Sequence, residues 1–224
     1  MILIAGINGI IGRHLNRSLD KYPIYGLSKG KQGHKKNFSK VDLESKNEVD
    51  NFIKDSVYFD TIIFLVALAH DKGKKSQLKK FKDVNIITLK NLMSSFRKYS
   101  KMPRKIIYSS TISVYGEKIN TEYYYENLEK NPFTPYAITK LEAENFLLGN
   151  YPEKTWILRF APVYSEKFTL NIDRRTKLLG CYYKVGGGEK KLSLLNIKNI
   201  DLTIKAILDD KIPSGVYNLS DKKE

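Results

Sequence analysis

Met1-Ile2-Leu3-Ile4-Ala5-Gly6-Ile7-Asn8-Gly9-Ile10-Ile11-Gly12 is an apolar run that stops abruptly in a cluster of three glycines. Beyond it Ile11, Leu15 and Leu19 recur at helical spacing toward Asp20. Strand, glycine turn and helix in that order are the context in which a dinucleotide-binding turn works. Glycine lets the backbone turn tightly and approach a pyrophosphate, which the positive N-terminus of the helix attracts. The spacing is Gly-x-x-Gly-x-x-Gly rather than Gly-x-Gly-x-x-Gly. Gly6, Asn8, Gly9, Ile10, Ile11 and Gly12 are the candidate contacts.

Outward from this turn, apolar runs and amphipathic stretches alternate. The pattern predicts strands near 1–5, 23–27, 38–41, 61–66, 104–109, 155–160 and 215–219. It predicts helices over 10–20, 45–55, 78–99, 134–149 and 199–208. Such alternation specifies an α/β fold, a doubly wound parallel sheet of Rossmann type. Residues 1–164 form the expected dinucleotide-binding domain. Residues 165–224 form a small substrate-binding region, in which about 197–220 return to the first domain. The rhythm breaks over 165–195, a basic stretch containing Gly186-Gly187-Gly188, read as a flexible turn in a small substrate cap.

A second stretch bears on chemistry. Tyr136-Ala137-Ile138-Thr139-Lys140 places a phenol and an ammonium four residues apart, on one face of a predicted helix. A tyrosine titrates near pH ~10, and a neighbouring positive charge favours its phenolate. Bringing it ~3 units lower takes about 4 kcal/mol of differential stabilisation. Chance supplies a Tyr-x-x-x-Lys spacing readily in a chain with 15 tyrosines, so its weight comes from its neighbours.

The glycine turn and the Tyr-Lys pair, in this order, resemble the extended short-chain dehydrogenase/reductase family, the nucleotide-sugar epimerases and dehydratases. Asp42-Leu43 is similar to that family's adenine contact. Val66-Ala67-Leu68-Ala69 is similar to the segment beside its cofactor, and Asn85 to a structural asparagine. Ser109-Ser110-Thr111 through Val114-Tyr115-Gly116 is similar to its Ser-Ser-x-x-x-Val-Tyr-Gly. Val163 stands at the nicotinamide end. The resemblance covers essentially the whole chain. It implies that Thr111, Tyr136 and Lys140 are catalytic: Thr111 positions a sugar oxygen, Tyr136 moves its proton, and Lys140 lowers the phenol's pKa and binds the nicotinamide ribose.

The same resemblance implies a nucleotide-sugar epimerase, with an NADPH-dependent ketoreductase as the alternative and a non-catalytic NAD(P)-binding scaffold third. A dehydratase would need an Asp-Glu pair after Thr111, where Ile112 and Ser113 stand. Asn171, Arg174 and Lys191 are implied substrate contacts beside Thr111, with Arg175 and Lys190 as alternatives. The helices over 78–99 and 134–149 match the faces by which relatives dimerise, so the resemblance implies a homodimer. Relatives continue well beyond the strand at Val216-Tyr217-Asn218-Leu219 and carry a larger cap.

NAD sites place an acid about 20 residues beyond the glycines, against the ribose hydroxyls. Between Asp20 and Asp42 there is none; Ser28-Lys29-Gly30-Lys31 stands there instead. A hydroxyl and lysines suit a 2′-phosphate, so NADP(H) is favoured over NAD(H).

Composition fits a soluble enzyme. At 224 residues, 42% hydrophobic and 28% charged, the chain can bury a substantial core. No apolar run approaches the ~20 residues of a membrane span. The chain enters a strand at once, without a basic leader, so a cytoplasmic location is expected. The lone Cys181 excludes an intramolecular disulfide, and no Cys/His spacing suggests a metal. A net charge of +15 raises nucleic-acid binding. The lysines, however, are dispersed and lack interleaved aromatics, so a solvated basic surface is expected.

Overall fold

A computed structural model describes residues 1–30, 37–69, 78–116, 123–178, 181–182 and 193–221. In chain order the elements are β1 (Ile2–Ala5), α1 (Ile10–Ser18), β2 (Ile24–Ser28), β3 (Phe38–Lys40), α2 (Lys46–Asp55), β4 (Thr61–Phe64), α3 (Leu78–Lys82) and α4 (Thr88–Lys98). Then follow β5 (Lys105–Thr111), α5 (Pro135–Asn150), β6 (Thr155–Phe160), β7 (Val163–Tyr164), α6 (Leu170–Thr176), β8 (Lys177–Leu178), β9 (Cys181–Tyr182), β10 (Leu195–Asn196), α7 (Ile197–Leu208) and β11 (Gly215–Leu219).

Seven strands form one sheet in the order β11-β6-β5-β4-β1-β2-β3, and every pairing in it is parallel. β1, β4, β5 and β6 are buried along their whole length. That is why they read as largely apolar runs, with polar residues chiefly at their ends and Arg159 within β6: helices cover both faces of a parallel sheet. Alternate residues of each strand face opposite layers. Leu3, Phe64, Leu92 and Leu147 share one core, beneath α4 and α5. Ile4, Leu15, Leu158 and Ile204 share the other, beneath α1 and α7. The strand order reverses at β1, between β2 and β4, which opens a crevice at the carboxyl ends of these strands.

Local chemistry sets the ends of the key helices. Thr134 caps α5, accepting from the Ala137 N–H at 3.2 Å, and Pro135 occupies its first turn. α7 starts two residues earlier than the pattern predicts, because the Asn196 side chain accepts from the Lys198 N–H at 3.0 Å. The helix predicted over 78–99 is interrupted by a π-helical turn at Asp83–Ile87. Its wider winding carries Asn85 into the interior, where it is 0% exposed. In the stretch expected to form the cap, β7 pairs with β10 and β8 with β9, while α6 lies between them in sequence. The glycine triplet 186–188 and Lys191 lie outside the described residues.

Candidate functional site

The turn between β1 and α1 is shaped by glycine at two places. Gly6 has φ +89°, a conformation unfavourable for L side chains, and its N–H donates to the Leu27 carbonyl at 2.8 Å. A Cβ on Gly12 would stand 2.5 Å from the Gly6 oxygen and 2.6 Å from Ile7 Cα, so α1 can start this close only with glycine there. Gly9 caps α1, whose first turn carries no acid. Asn8 and Ile10 flank that cap, and Ile11 packs against the second core. A bare helix N-terminus behind a close backbone turn fits a pyrophosphate.

Val66-Ala67-Leu68-Ala69, after β4, runs beside this turn; a Cβ on Gly6 would meet the Val66 nitrogen at 3.1 Å. Asn85 holds that segment from behind. Its Oδ1 accepts the Leu68 N–H at 2.7 Å, and its Nδ2 donates to the Leu68 carbonyl at 3.3 Å and to Thr139 Oγ1 at 2.9 Å. One amide thus ties the loop after β4 to α5. On the other side of β1, Lys29 pairs with Asp42 at 2.7 Å and Glu44 at 3.1 Å. Ser28 Oγ accepts from the Gly30 N–H at 3.3 Å, and Leu43 is buried in the first core.

Thr111 ends β5 at the centre of the sheet. Its Oγ1 accepts the Ser113 N–H at 3.2 Å and donates to Ser113 Oγ at 3.2 Å. Tyr136 lies in the first turn of α5 and Lys140 in the second. Lys140 is 1% exposed; its Nζ donates to the Ser109 carbonyl at 2.6 Å, and sits 4.6 Å from the Tyr108 ring centre and 5.9 Å from that of Tyr136. A cavity of about 150 Å³, lined by Ile112, Ser113, Gly116, Tyr124, Phe133 and Thr134, adjoins both segments.

Burial dominates the electrostatics. It pushes the Lys140 ammonium down to about 7, against the opposing charge of Glu144. It pushes the Tyr136 phenol up to about 12. The sequence argument has the lysine drawing the phenol's pKa down. In the folded chain, withdrawal from water outweighs that attraction.

Beneath the trio lies a network in which Ser110 and Tyr115 come from the motifs, whereas their charged partners do not. Glu144, one turn beyond Lys140, accepts from Arg159 at 2.6 Å and from Ser110 Oγ; both charged side chains are buried. Arg159 also donates to Tyr115 Oη at 2.7 Å and the Glu126 carbonyl at 3.1 Å. Tyr115 donates onward to Asn218 Oδ1 at 2.7 Å. α5, β6, the turn after β5 and β11 are thereby locked together. The available signal was an arginine inside an otherwise apolar central strand, because a buried charge requires a partner.

The remaining candidates lie in the stretch expected to form the cap. Asn171 Nδ2 donates to the Val163 carbonyl at 2.8 Å, bracing α6 against β7. Arg174 is exposed on α6. The motifs also pass over Asp221, which accepts from Tyr164 Oη, the Asn196 N–H and Asn199 Nδ2 within 2.9 Å. Among the described residues no cluster of His, Cys, Asp and Glu could hold a metal, and no helix is long and apolar enough to cross a membrane.

Known proteins resemble both sequence and fold. A putative UDP-glucose 4-epimerase of Methanocaldococcus jannaschii is 27% identical, over 75% of this chain and 57% of its own length. Protein CapI of Staphylococcus aureus is 28% identical, over 73% and 54%. The chain therefore spans a little over half the length of these curated relatives. A UDP-glucuronic acid 4-epimerase from Bacillus cereus, solved in complex with NAD, superposes with a TM-score of 0.77 at 23% identity, covering 99% of this chain and 78% of that one. The sequence model of the NAD dependent epimerase/dehydratase family matches residues 2–219. With that match spanning the sheet, the glycine turn and the Tyr136–Lys140 helix, the chain belongs to this family.

Proposed function

We propose that the chain forms the cofactor-binding and catalytic part of an NAD(H)-dependent nucleotide-sugar epimerase. One observation carries the reading: Lys140, buried on the face of α5 that starts with Tyr136, is anchored to the strand ending in Thr111. The curated relative and the solved neighbour described above are both UDP-sugar 4-epimerases by name.

The chain's own residues divide the work. Gly6, Gly9 and Gly12 let the chain turn closely enough for a pyrophosphate to meet the N-terminus of α1, and the Asn85-braced loop at Val66–Ala69 lines the cofactor's flank. Thr111 Oγ1 accepts the Ser113 N–H and donates to Ser113 Oγ, so it reaches a sugar oxygen by exchanging that side-chain bond for one to the substrate. Tyr136 takes or returns the proton of that oxygen, and Lys140 stabilises the phenolate while it exists. When bound, the nicotinamide supplies the hydride acceptor and donor and, when oxidised, a positive charge beside the phenol. The cavity beside Ile112 and Thr134 offers rings and hydroxyls to a sugar: Phe133 is 78% exposed at its rim. The absence of a dehydratase-type acid pair at Ile112-Ser113 supports epimerisation over water loss.

The Lys29 ion pairs bear on the cofactor. The sequence favours NADP(H) through Ser28 and Lys29, yet Lys29 is already engaged by two carboxylates. A 2′-phosphate would bring further negative charge to that corner, which supports NAD(H) instead. A homodimer through α4 and α5 is part of the same proposal and rests on the resemblance.

The test is direct. Cofactor extracted from purified protein is identified by mass, and UDP-glucose/UDP-galactose and related pairs are offered for interconversion. Tyr136→Phe is expected to reduce turnover by about 10²–10⁴-fold. Wild-type turnover by that variant would sink the reading, and stoichiometric NADPH consumption would transfer it to a ketoreductase.

A further inference from the structure

Lys140 lies in an unusual environment for an ammonium. Among the described residues it donates to one acceptor, the Ser109 carbonyl, and has no carboxylate within ion-pair distance. Glu144, the nearest acid on α5, is taken up by Arg159 of β6 and Ser110 of β5. What faces the ammonium from the sheet is an aromatic ring. Tyr108 of β5 is 0% exposed and presents its face to Lys140 Nζ at 4.6 Å. The ring is backed by Phe64 of β4, stacked at 6.1 Å with an interplanar angle of 24°. Its hydroxyl finds no hydrogen-bond partner among the described residues. Burial, then the charges of Tyr136 and Glu144, keep that phenol neutral by pushing its pKa well above the ordinary value.

An aromatic face carries partial negative charge and attracts a cation but not a neutral amine. We propose that Tyr108 is a positioning residue whose ring, backed by Phe64, favours the charged form of Lys140 against the effect of burial and seats the ammonium between β5 and the Tyr136 phenol. This rests on the reading that Lys140 serves Tyr136, and it names the group that makes that service possible in a dry site. It also explains why an aromatic ring stands directly before Ser109, whose carbonyl receives the same ammonium: one strand supplies the acceptor and the cation's platform from adjacent residues. The ring is the working part. The unpaired hydroxyl is dispensable and carries a desolvation cost.

The charge state of Lys140 can be read without substrate or cofactor, from the side-chain ¹⁵N resonance of the protein followed against pH. The Lys140 signal is assigned by its loss in Lys140→Met. Tyr108→Leu keeps apolar bulk and removes the ring; the Lys140 midpoint should fall by about one pH unit, a tenfold loss of proton affinity. Tyr108→Phe keeps the ring and should leave the midpoint within about 0.3 units. Should Tyr108→Leu not fold, phenylalanines of increasing fluorination installed at position 108 weaken the face at nearly constant shape. The midpoint should then fall stepwise with each fluorine. A midpoint unmoved by Tyr108→Leu, or by the fluorine series, would overturn the proposal, as would an equal fall in Tyr108→Phe. Failure of the functional reading looks different: the Lys140 midpoint moves in Tyr108→Leu while the alkaline limb of kcat/KM for the sugar nucleotide, which reports loss of the required ammonium proton, does not follow it.

Discussion

Replacing Lys140 by Met should make the protein more stable, by an amount that depends on pH. Lys140 is 1% exposed, and its pKa falls from 10.5 to about 7 through burial. At 1.36 kcal/mol per unit, that difference corresponds to about 4–5 kcal/mol of destabilisation whenever the folded chain must carry the charge. Between about 7 and 10.5 the unfolded chain binds a proton that the folded chain does not. Folding stability therefore rises with pH across this window, by roughly 1.4 kcal/mol per unit. Below pH 7 the whole penalty is present; above 10.5 it is gone. Met fills similar volume without charge, but loses the bond to the Ser109 carbonyl, about 1–2 kcal/mol. At pH 6 the variant should therefore be more stable by about 2–4 kcal/mol. The advantage should vanish or reverse by pH 10. Urea unfolding of both proteins at pH 6, 8 and 10 measures this, and the difference between them cancels most other titrating groups. A difference that is flat from pH 6 to 10 would refute the assignment of a depressed lysine. The same variant should lose turnover, so stability and function pull in opposite directions at this residue.

Three other substitutions probe the supports of the site. Arg159→Met leaves Glu144 buried without its cation and should cost about 3–5 kcal/mol in urea unfolding; adding Glu144→Met should recover most of that loss. Gly12→Ala pushes a methyl to 2.5 Å from the Gly6 oxygen; it should cost about 1–3 kcal/mol and abolish quenching of protein fluorescence by NAD(H). Asn85→Ala removes the three hydrogen bonds of a buried amide, and amide exchange should accelerate at Leu68 while Ile63 in β4 stays protected.

The sheet was legible because its signals are local. A central parallel strand is buried on both faces, so Thr61–Phe64 and Thr155–Phe160 declare themselves as apolar runs. Thr134-Pro135 declares the start of α5 in the same way. The π-helical turn at Asp83–Ile87 was not legible within a continuous helical pattern. It exists to bring Asn85 to Leu68 and Thr139, the latter 54 residues away. Thr111, Tyr136 and Lys140 could be named from motifs and Tyr115 stands in one, but the network that joins Tyr115 to Glu144, Arg159 and Asn218 could not be read there. Their partnership joins residues up to 103 positions apart.

From its sequence alone this chain has a determined order of strands and helices, a glycine turn at the first helix, and a tyrosine and lysine on one helical face. These follow from periodicity and backbone chemistry, which act over a few residues. Tertiary structure decided the charge states. It placed Lys140 against the Tyr108 ring, spent Glu144 on Arg159, and drew Lys29 onto Asp42 and Glu44. The energy of a charge depends on how much water surrounds it and which partner stands within a few ångströms, and folding alone sets both.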